Sequence, residues 1–400
     1  MEDLLLLIHR IPYPPNKGDK IRSYHLLKHL SRHYRVHLAT FVDDPNDWQY
    51  VPHVEALCAS SHFARMNPLL ARVRSLGALL KNRSLSLEYY RDAGLARWVD
   101  DTLARHDVKR VLVFCSPMAQ YAENHRGARR VIDFCDIDSE KWRQYAEQKS
   151  FPMNLVYRYE AKQLLRYERQ VARDYDASLF VSAPEAELFR SLAPESGPKI
   201  GHFSNGVDTE YFSPERPYEN PFAAGERALV FTGAMDYWPN IDAVKWFAAE
   251  VFPTVHRRFP DARFYIVGSR PAPAVQALAQ QAGVVVTGTV PDVRPYIAHA
   301  AAAVAPLRIA RGVQNKVLEA MAMATPVVVS PQALEGIDAV PGSELVLADE
   351  PAAFADACAA LLEGQDGAID AIGRAARDKV QRRYSWSSNL ACIGESLECS

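Results

Sequence analysis

Hydrophobic positions in this chain come in short unbroken runs, separated by stretches of helical period. The runs predict strands at Leu4–His9, Val36–Phe41, Val111–Cys115, Val131–Phe134 and Ala177–Val181. A second series follows at Ala228–Thr232, Arg263–Val267, Val284–Thr287, Ala302–Ala305 and Pro326–Ser330. Strands that are apolar throughout, lying between helical patterns, predict parallel sheets covered on both faces. Two such series predict an α/β protein of two Rossmann-like domains. Residues 213–227 carry three prolines and little apolar periodicity, which suits a linker. The expected organisation is a first domain over 1–212, the linker 213–227, a second domain over 228–380, and a C-terminal helix at 381–400 packing back toward the first domain. Two facing domains of this type form an interdomain cleft at the C-terminal ends of their strands.

The segment Gly312–Ser330 concentrates the candidate chemistry. It follows the apolar run Ala301–Ala305 and Pro306-Leu-Arg308, giving the order strand, basic loop, helix, strand. A helix opening at Gly312 offers free backbone N–H groups and the positive end of its dipole to an anion. Lys316 and Glu319, three residues apart, share a helix face. Val313, Val317, Ala320 and Met321 form the neighbouring apolar stripe. A cation near the helix start and a carboxylate one turn deeper suit a diphosphate followed by a ribose diol. The competing reading is a solvated Lys–Glu pair on an amphipathic helix, which stabilises little. The basic loop and the Thr-Pro-Val-Val-Val strand after the helix favour the site.

Other loops fall on the same strand edge. Phe231-Thr-Gly233 gives a turn, Gly268-Ser-Arg270 closes a strand, and Gly288-Thr-Val290-Pro-Asp292-Val-Arg294 closes another. With Arg308 and Lys316 they predict a polar, basic rim. Backbone around Val290 suits a nucleobase edge, although a plain strand-to-helix turn accounts for it equally well. In the first half, the loop after the first strand runs from Arg10 to Ser23. Here Gly18 allows close backbone approach, Asp19 caps the next helix, and Arg22 reaches back toward an anion; a surface loop with a cap is the alternative. The strand at Val131–Phe134 leads into Asp136, Asp138, Ser139 and Glu140. One of these carboxylates is placed to orient or deprotonate an acceptor hydroxyl. Alternatively Asp138 or Ser139 caps the following helix, and both readings stand. The pattern over Met153–Asp176 (Tyr157, Leu164, Tyr167, Val171) predicts a core-facing helix with arginines outside.

Composition narrows the classes without choosing among them. Four hundred residues suit two domains, and 48% apolar with 24% charged residues is ordinary for a globular protein. A formal net charge of -2 gives no reason to expect nucleic acid. Residues 1–212 carry 30 Lys and Arg against 27 Asp and Glu, and the remainder 16 against 21, a slight basic bias in the first half. The six cysteines show no metal or disulfide spacing, and Cys115 and Cys135 fit buried hydrophobic positions. No run reaches spanning length, so a cytoplasmic protein is expected.

The stretch Phe231–Ser330 resembles the donor half of two-domain, family-4-type nucleotide-sugar glycosyltransferases of the GT-B fold. The resemblance rests on Phe231-Thr-Gly233, Val267-Gly268, Gly288-Thr-Val290-Pro-Asp292-Val, Ala305-Pro-Leu and Leu318-Glu319-Ala-Met-Ala-Met-Ala-Thr-Pro-Val-Val. The N-terminal Pro-Tyr-Pro-Pro-Asn-Lys-Gly-Asp-Lys-Ile-Arg and Ser-Asn-Gly-Val-Asp-Thr-Glu-Tyr-Phe extend it over nearly the full chain. The subgroup it looks most similar to is the sugar transferases associated with PEP-CTERM/exosortase exopolysaccharide clusters. The resemblance implies a hexosyltransferase-type enzyme that is retaining and metal-independent. It also implies a nucleoside-diphosphate sugar as co-substrate, a glycan or polyprenyl-linked acceptor, and peripheral contact with the inner face of a membrane. Glu319 matches the family's ribose-binding glutamate. A second family glutamate, eight residues earlier, is Arg311 here. The family's Arg and Lys after the Gly233 turn are replaced by a region containing Asp236 and Asn240.

Together these give an expected site. Lys316, Arg311 and Asp138 carry the catalysis. Gly233, Gly268, Val290, Arg308, Gly312, Lys316 and Glu319 hold the donor. Gly18, Asp19, Arg22, Asp136 and Ser139 hold the acceptor, and no metal is bound. A nucleotide-sugar epimerase of the same fold and a non-catalytic glycan-binding subunit are the competing functions. A nicotinamide dehydrogenase is disfavoured, because no GxGxxG follows the first strand.

Overall fold

The computed structural model describes residues 1–15, 18–310, 313–364 and 368–398. The chain divides into two compact units, residues 1–205 with those from 389 onward, and residues 206–388. The division falls ahead of the proline-rich stretch at 213–227, which groups with the second unit.

The first unit is a seven-stranded parallel sheet. Its strands are β1 (Asp3–Ile8), β2 (Arg35–Val42), β3 (Ser60–Arg65), β4 (Val108–Phe114), β5 (Arg129–Cys135), β6 (Ala177–Phe180) and β7 (Ile200–His202), in the order β3-β2-β1-β4-β5-β6-β7. Leu4, Leu5, Leu6 and Leu7 are all fully buried, so both faces of β1 are covered. That double burial is why the strand reads as unbroken leucine. The second unit is a six-stranded parallel sheet of β8 (Arg227–Thr232), β9 (Ala262–Val267), β10 (Val284–Gly288), β11 (Ala302–Ala305), β12 (Val327–Val329) and β13 (Val346–Leu347), in the order β10-β9-β8-β11-β12-β13. The expected α/β architecture with two parallel sheets is what the structure shows.

In each sheet one strand has neighbours reached by crossovers in opposite directions. These are β1, between β2 and β4, and β8, between β9 and β11. Ligands in open parallel sheets bind outside the carboxyl ends of the strands at such switch points. The loops after β1 and β4, and those after β8 and β11, are therefore the places to look.

The long helix Met153–Asp174 buries Leu164, Tyr167 and Val171 and exposes Arg158, Arg166, Arg169 and Arg173. It also buries two carboxylates. Glu160 accepts hydrogen bonds from Ser84 Oγ and from the backbone N–H of Leu85 and Ser86, at the start of the helix Leu85–Tyr89. Glu168 accepts from the N–H and Oγ of Ser139 at the start of the helix Asp138–Gln148. Each carboxylate serves the orphan donors and positive dipole end of a neighbouring helix. At the C-terminus, Asn389 Nδ2 donates to the Ser204 and Asn205 carbonyls, and Arg110 binds Glu398. Among the described residues no helix is long and apolar enough to cross a membrane.

Candidate functional site

In the second unit, the chain leaves β8 at Thr232 and turns through Gly233, with φ +156°. A Cβ at Gly268 would stand 1.6 Å from the Gly233 carbonyl oxygen, so the ends of β8 and β9 touch backbone to backbone. Gly233 N–H donates to Val267 O and Gly268 N–H to Gly288 O, which ties three strand ends together. Gly233 and Gly268 thus have a packing reason of their own. A Cβ on Gly233 would also meet the Asn240 amide at 2.8 Å and the Lys316 Cε at 3.6 Å. The bare glycine therefore lets the turn pack directly against Asn240 and Lys316.

The helix carrying Lys316 spans Asn315–Ala322, with Gln314 as its N-cap. It starts three residues later than the Gly312 opening expected from sequence. Gly312 and Arg311 lie outside the described residues. Val317, Ala320 and Met321 are buried and Val313 packs against the same core, as the apolar stripe requires. Lys316 Nζ donates to Asn240 Oδ1 at 3.1 Å and stands 5.3 Å from the centroid of the Phe231 ring. Asn240 Nδ2 in turn donates to the Ala234 carbonyl at 2.9 Å, which fixes the amide's orientation. Burial pulls the Lys316 pKa down to about 8, against the opposing effect of Glu319. Burial likewise lifts the Glu319 carboxyl to about 7, against Lys316. Glu319 accepts no hydrogen bond among the described residues. The result is an ammonium and a carboxylate in a partly desolvated place, neither given a full set of partners among the described residues.

The rest of the expected basic rim is different. Arg308 grips Asp242 through Nε and Nη2. Arg270 pairs with Asp236 at 3.0 Å, and Arg294 with Asp292 at 2.6 Å while its guanidinium lies 3.7 Å from the Tyr211 ring centroid. The three arginines are neutralised by three acids that the sequence pattern did not match to them. Arg308 as a freely available donor-binding cation is corrected accordingly. Val290 packs beside Phe222, Tyr265 and Val267, so its side chain belongs to a small core and its loop backbone follows.

In the first unit, the expected acceptor residues divide. Arg22 is fully buried, with Nε and Nη2 on Asp133 at 2.7 and 3.1 Å, and Nη1 on the Phe203 carbonyl at 3.1 Å and Asn205 Oδ1 at 2.9 Å. Its guanidinium carbon lies 3.5 Å from the Phe203 ring centroid. Arg22 is therefore corrected from an anion contact to an internal tie between the first helix, β5 and the segment after β7. Ser139 is corrected as well. It is 3% exposed, and its hydroxyl is given to Glu168, whose carboxyl is pushed up to about 8 by burial and by the nearby Asp138 charge.

Asp19, Asp136 and Asp138 keep partial exposure. Asp19 lies inside the first turn of the helix Gly18–Leu30 and meets His9 Nε2 at 3.4 Å and Arg10 Nη1 at 3.1 Å. Burial alone would raise its carboxyl, but the His9 hydrogen bond and the charges of His9 and Arg10 hold it far below the usual range. Nothing crowds the position of a Cβ on Gly18. Asp136 and Asp138 share Lys141 at 2.8 and 3.3 Å, and Asp138 lies 3.5 Å from Ser116 Oγ, just past the end of β4. Cys115 and Cys135, at the same strand ends, hold φ of 72° and 65° and are only partly buried, unlike the expected core positions. Such left-handed residues at the mouth of a sheet mark a constrained backbone. His9, Arg10, Ser116 and Asn240 are site neighbours that the sequence pattern did not single out. His9, Arg10 and Ser116 stand within two residues of a strand end, and Asn240 lies in the first turn of the helix that follows β8; position at the carboxyl end of the strands is the signal that could have found them.

Among the described residues, cavities also lie away from Lys316. The larger, about 990 Å³, is in the first unit and includes Arg74, Arg83, Arg91, Arg97, Arg166 and Tyr121 among its lining residues. A second, about 330 Å³, is bordered by Arg308, Ser330 and Phe354. Asp3, His37 and His106 bring three potential metal ligands together at the amino-terminal ends of the strands of the first sheet. There Asp3 already binds Arg35 through both oxygens and also takes His37, so a guanidinium stands where a cation would.

Residues 226–364 match the family described as Glycosyl transferases group 1. No curated protein matches the sequence. Among solved structures, the chain is similar to sucrose-phosphate synthase from Thermosynechococcus elongatus, with TM-score 0.65 and 18% identity over 99% of this chain and 98% of that one. It is similar to a glycosyltransferase from Rickettsia africae, with TM-score 0.66 and 14% identity over 100% and 99%. It is also similar to Alr3699/HepE of Anabaena in complex with UDP, with TM-score 0.61 and 15% identity over 99% of each. The domain match over the second unit and the shared GT-B fold support a glycosyltransferase.

Proposed function

We propose that the chain moves a sugar from a nucleoside-diphosphate donor to a glycan or lipid-linked acceptor, with retention of configuration, in exopolysaccharide or cell-surface glycan synthesis. The second unit holds the donor and the first serves the acceptor. The enzyme works in the cytoplasm, in peripheral contact with the inner face of the membrane, and needs no metal. The observation that carries the reading is Lys316. It is a partly desolvated ammonium under the Gly233 turn, held by the neutral Asn240 amide at the switch point between β8 and β11. The UDP complex of the similar Anabaena protein supports a nucleotide at a fold of this kind.

Breaking the C1–O–P bond builds negative charge on the departing diphosphate. A preorganised cation aimed at that charge lowers the barrier by about 3 kcal/mol. Lys316 fills this role, and its partner is an uncharged amide that fixes direction without neutralising it. Glu319, one turn along the same face, accepts the ribose hydroxyls. With a carboxyl near 7, about half of it is carboxylate at neutral pH and nearly all of it above pH 8. Asp138, beside Ser116 and Lys141, orients the acceptor hydroxyl. Asp19 and Asp136 line the acceptor side, and Gly18 leaves space for it. Arg311, at the position where the resemblance implies a glutamate, lies outside the described residues; its charge is assigned to the donor phosphates from the sequence alone.

The test is donor turnover by Lys316→Ala and Glu319→Ala, after a thermal-shift screen against UDP-, GDP-, ADP- and TDP-sugars has chosen the donor. Both variants should fold and lose most of their rate. Near-normal turnover in both would reject the assignment.

A further inference from the structure

The helix Pro68–Ser75 and the 3-10 turn Leu76–Lys81 that continues it are built inside out. The side facing the protein carries Ala71, Ser75 and Ala78, which are 3%, 8% and 0% exposed. The side facing water carries Leu69, Leu70, Val73, Leu76 and Leu79, exposed to 70%, 68%, 69%, 55% and 40%. A surface helix of a globular protein does the reverse, burying its leucines at this spacing and showing water its small and polar residues. A contiguous exposed patch of large aliphatic side chains marks an interaction site.

The patch has a neighbour and a charge. Tyr159 Oη donates to the carbonyls of Ala78 and Arg83, which brings the start of the helix Met153–Asp174 alongside. One turn before Tyr159, Leu155 is 53% exposed, and Phe151 and Met153 are exposed too. Residues 56–87 contain five Lys or Arg (Arg65, Arg72, Arg74, Lys81, Arg83) and no Asp or Glu. Arg74 of this helix, with Asn82 and Arg83 just beyond it, lines the cavity of about 990 Å³ together with Glu88, Asp92 and Glu123.

We infer that this face is the membrane-docking surface of the protein. The leucines and Val73 enter the headgroup boundary of a bilayer, and Arg72 and Arg74 on the same helix bind anionic lipid phosphates. A protein partner of ordinary composition would bring mixed charge to the rim. Arg83 meets Glu88 at 3.7 Å, but the helix itself shows water Arg72 and Arg74 beside its aliphatic stripe and carries no acid, the arrangement of a helix lying in the plane of an anionic interface. The inference deepens the peripheral membrane contact of the proposed function and stands apart from sugar transfer, which can be measured on a water-soluble acceptor.

The experiment is co-sedimentation of the full chain with vesicles of phosphatidylcholine alone and of an equal mixture with phosphatidylglycerol. Wild type should bind the anionic vesicles and scarcely the neutral ones. A Leu70→Asp, Val73→Asp double variant should bind at least about tenfold more weakly with unchanged melting temperature, since both side chains already face water. Arg72→Gln should weaken binding at low salt and make no difference at high salt. Failure of wild type to bind anionic vesicles, or equal binding by the double variant, overturns the inference. So does a wild-type dimer that the double variant converts to monomer, because the face would then be covered by a second copy. If docking fails while donor turnover still depends on Lys316, only the docking surface is wrong. If docking holds and that dependence fails, only the transfer site is.

Discussion

Two buried polar arrangements occupy comparable places in the two sheets, and they are built on opposite principles. Around Arg22 every strong group is matched. The guanidinium has both Asp133 oxygens, a carbonyl and an amide oxygen, and a stacked ring, and nothing of it reaches solvent. Around Lys316 the matching among the described residues is incomplete. One neutral amide oxygen holds the ammonium, Glu319 sits on the same helix face with no hydrogen bond among the described residues, and both groups titrate away from their usual values. A saturated buried charge can only hold the fold. An unsaturated one carries a desolvation cost that a ligand can relieve. The difference separates a structural cation from a binding one more sharply than exposure or sequence position does.

The largest effect should fall on the saturated side. Arg22→Ala leaves Asp133 buried and unpaired and should cost about 3–5 kcal/mol of stability, read as a lower urea midpoint at unchanged slope. The Lys316→Met variant should do the reverse, lowering turnover about a hundredfold while leaving the protein as stable as wild type or more so. If Lys316→Met unfolds the chain and Arg22→Ala does not, the contrast is inverted and the account fails. Glu319→Gln comes next. It keeps the shape but removes the charged acceptor, and should raise the donor KM by about tenfold with a smaller change in kcat.

The pH dependence sharpens the same contrast. Lys316 has a pKa lowered from 10.5 to about 8, so the folded state disfavours its charged form. An anionic donor needs that charged form, so donor affinity should fall as pH rises through about 8. Stability responds with the opposite sign. The penalty for the buried ammonium is present below about 8 and is relieved as pH climbs toward 10.5, so any stability advantage of Lys316→Met should shrink over that window. Denaturant titrations of both proteins at several pH values measure it, and a constant difference would show that the ammonium is not desolvated. The smallest effect belongs to the rim. Asp242→Ala frees the half-exposed Arg308 and should change stability by under about 1 kcal/mol, with donor affinity unchanged or slightly raised.

Much of the fold was legible in the sequence because parallel strands buried on both faces leave unbroken apolar runs. β1, β2, β4, β5 and β8–β12 all lie within or close to such runs. β3 (Ser-Ser-His-Phe-Ala-Arg) and the two-residue β13 were not foreseen, because both lie at sheet edges and are only partly buried. At the site, Lys316 and Glu319 were visible because their relation is local, three positions on one helix. Arg22 was misjudged because its partner Asp133 is 111 residues away, and no spacing rule reaches that far. Ser139 hides its partner in the same way, with Glu168 placed 29 residues on. The rim arginines looked like free charge for a related reason: Asp242, 66 residues before Arg308, meets it only once the sheet has formed. Asn240 first appeared only as the absence of a basic residue. The structure gives it a positive task, holding the ammonium that remains.

On this reading the Lys316 ammonium is kept available for a diphosphate. Calorimetric titration of wild type and Lys316→Met with the nucleoside diphosphate of the preferred donor tests it most directly, at neutral pH and again well above pH 8. Tight binding by wild type at neutral pH, weakening as the pH rises, with weak and pH-insensitive binding by the variant, is the predicted result. Equal affinity of the two proteins across the pH range would contradict it.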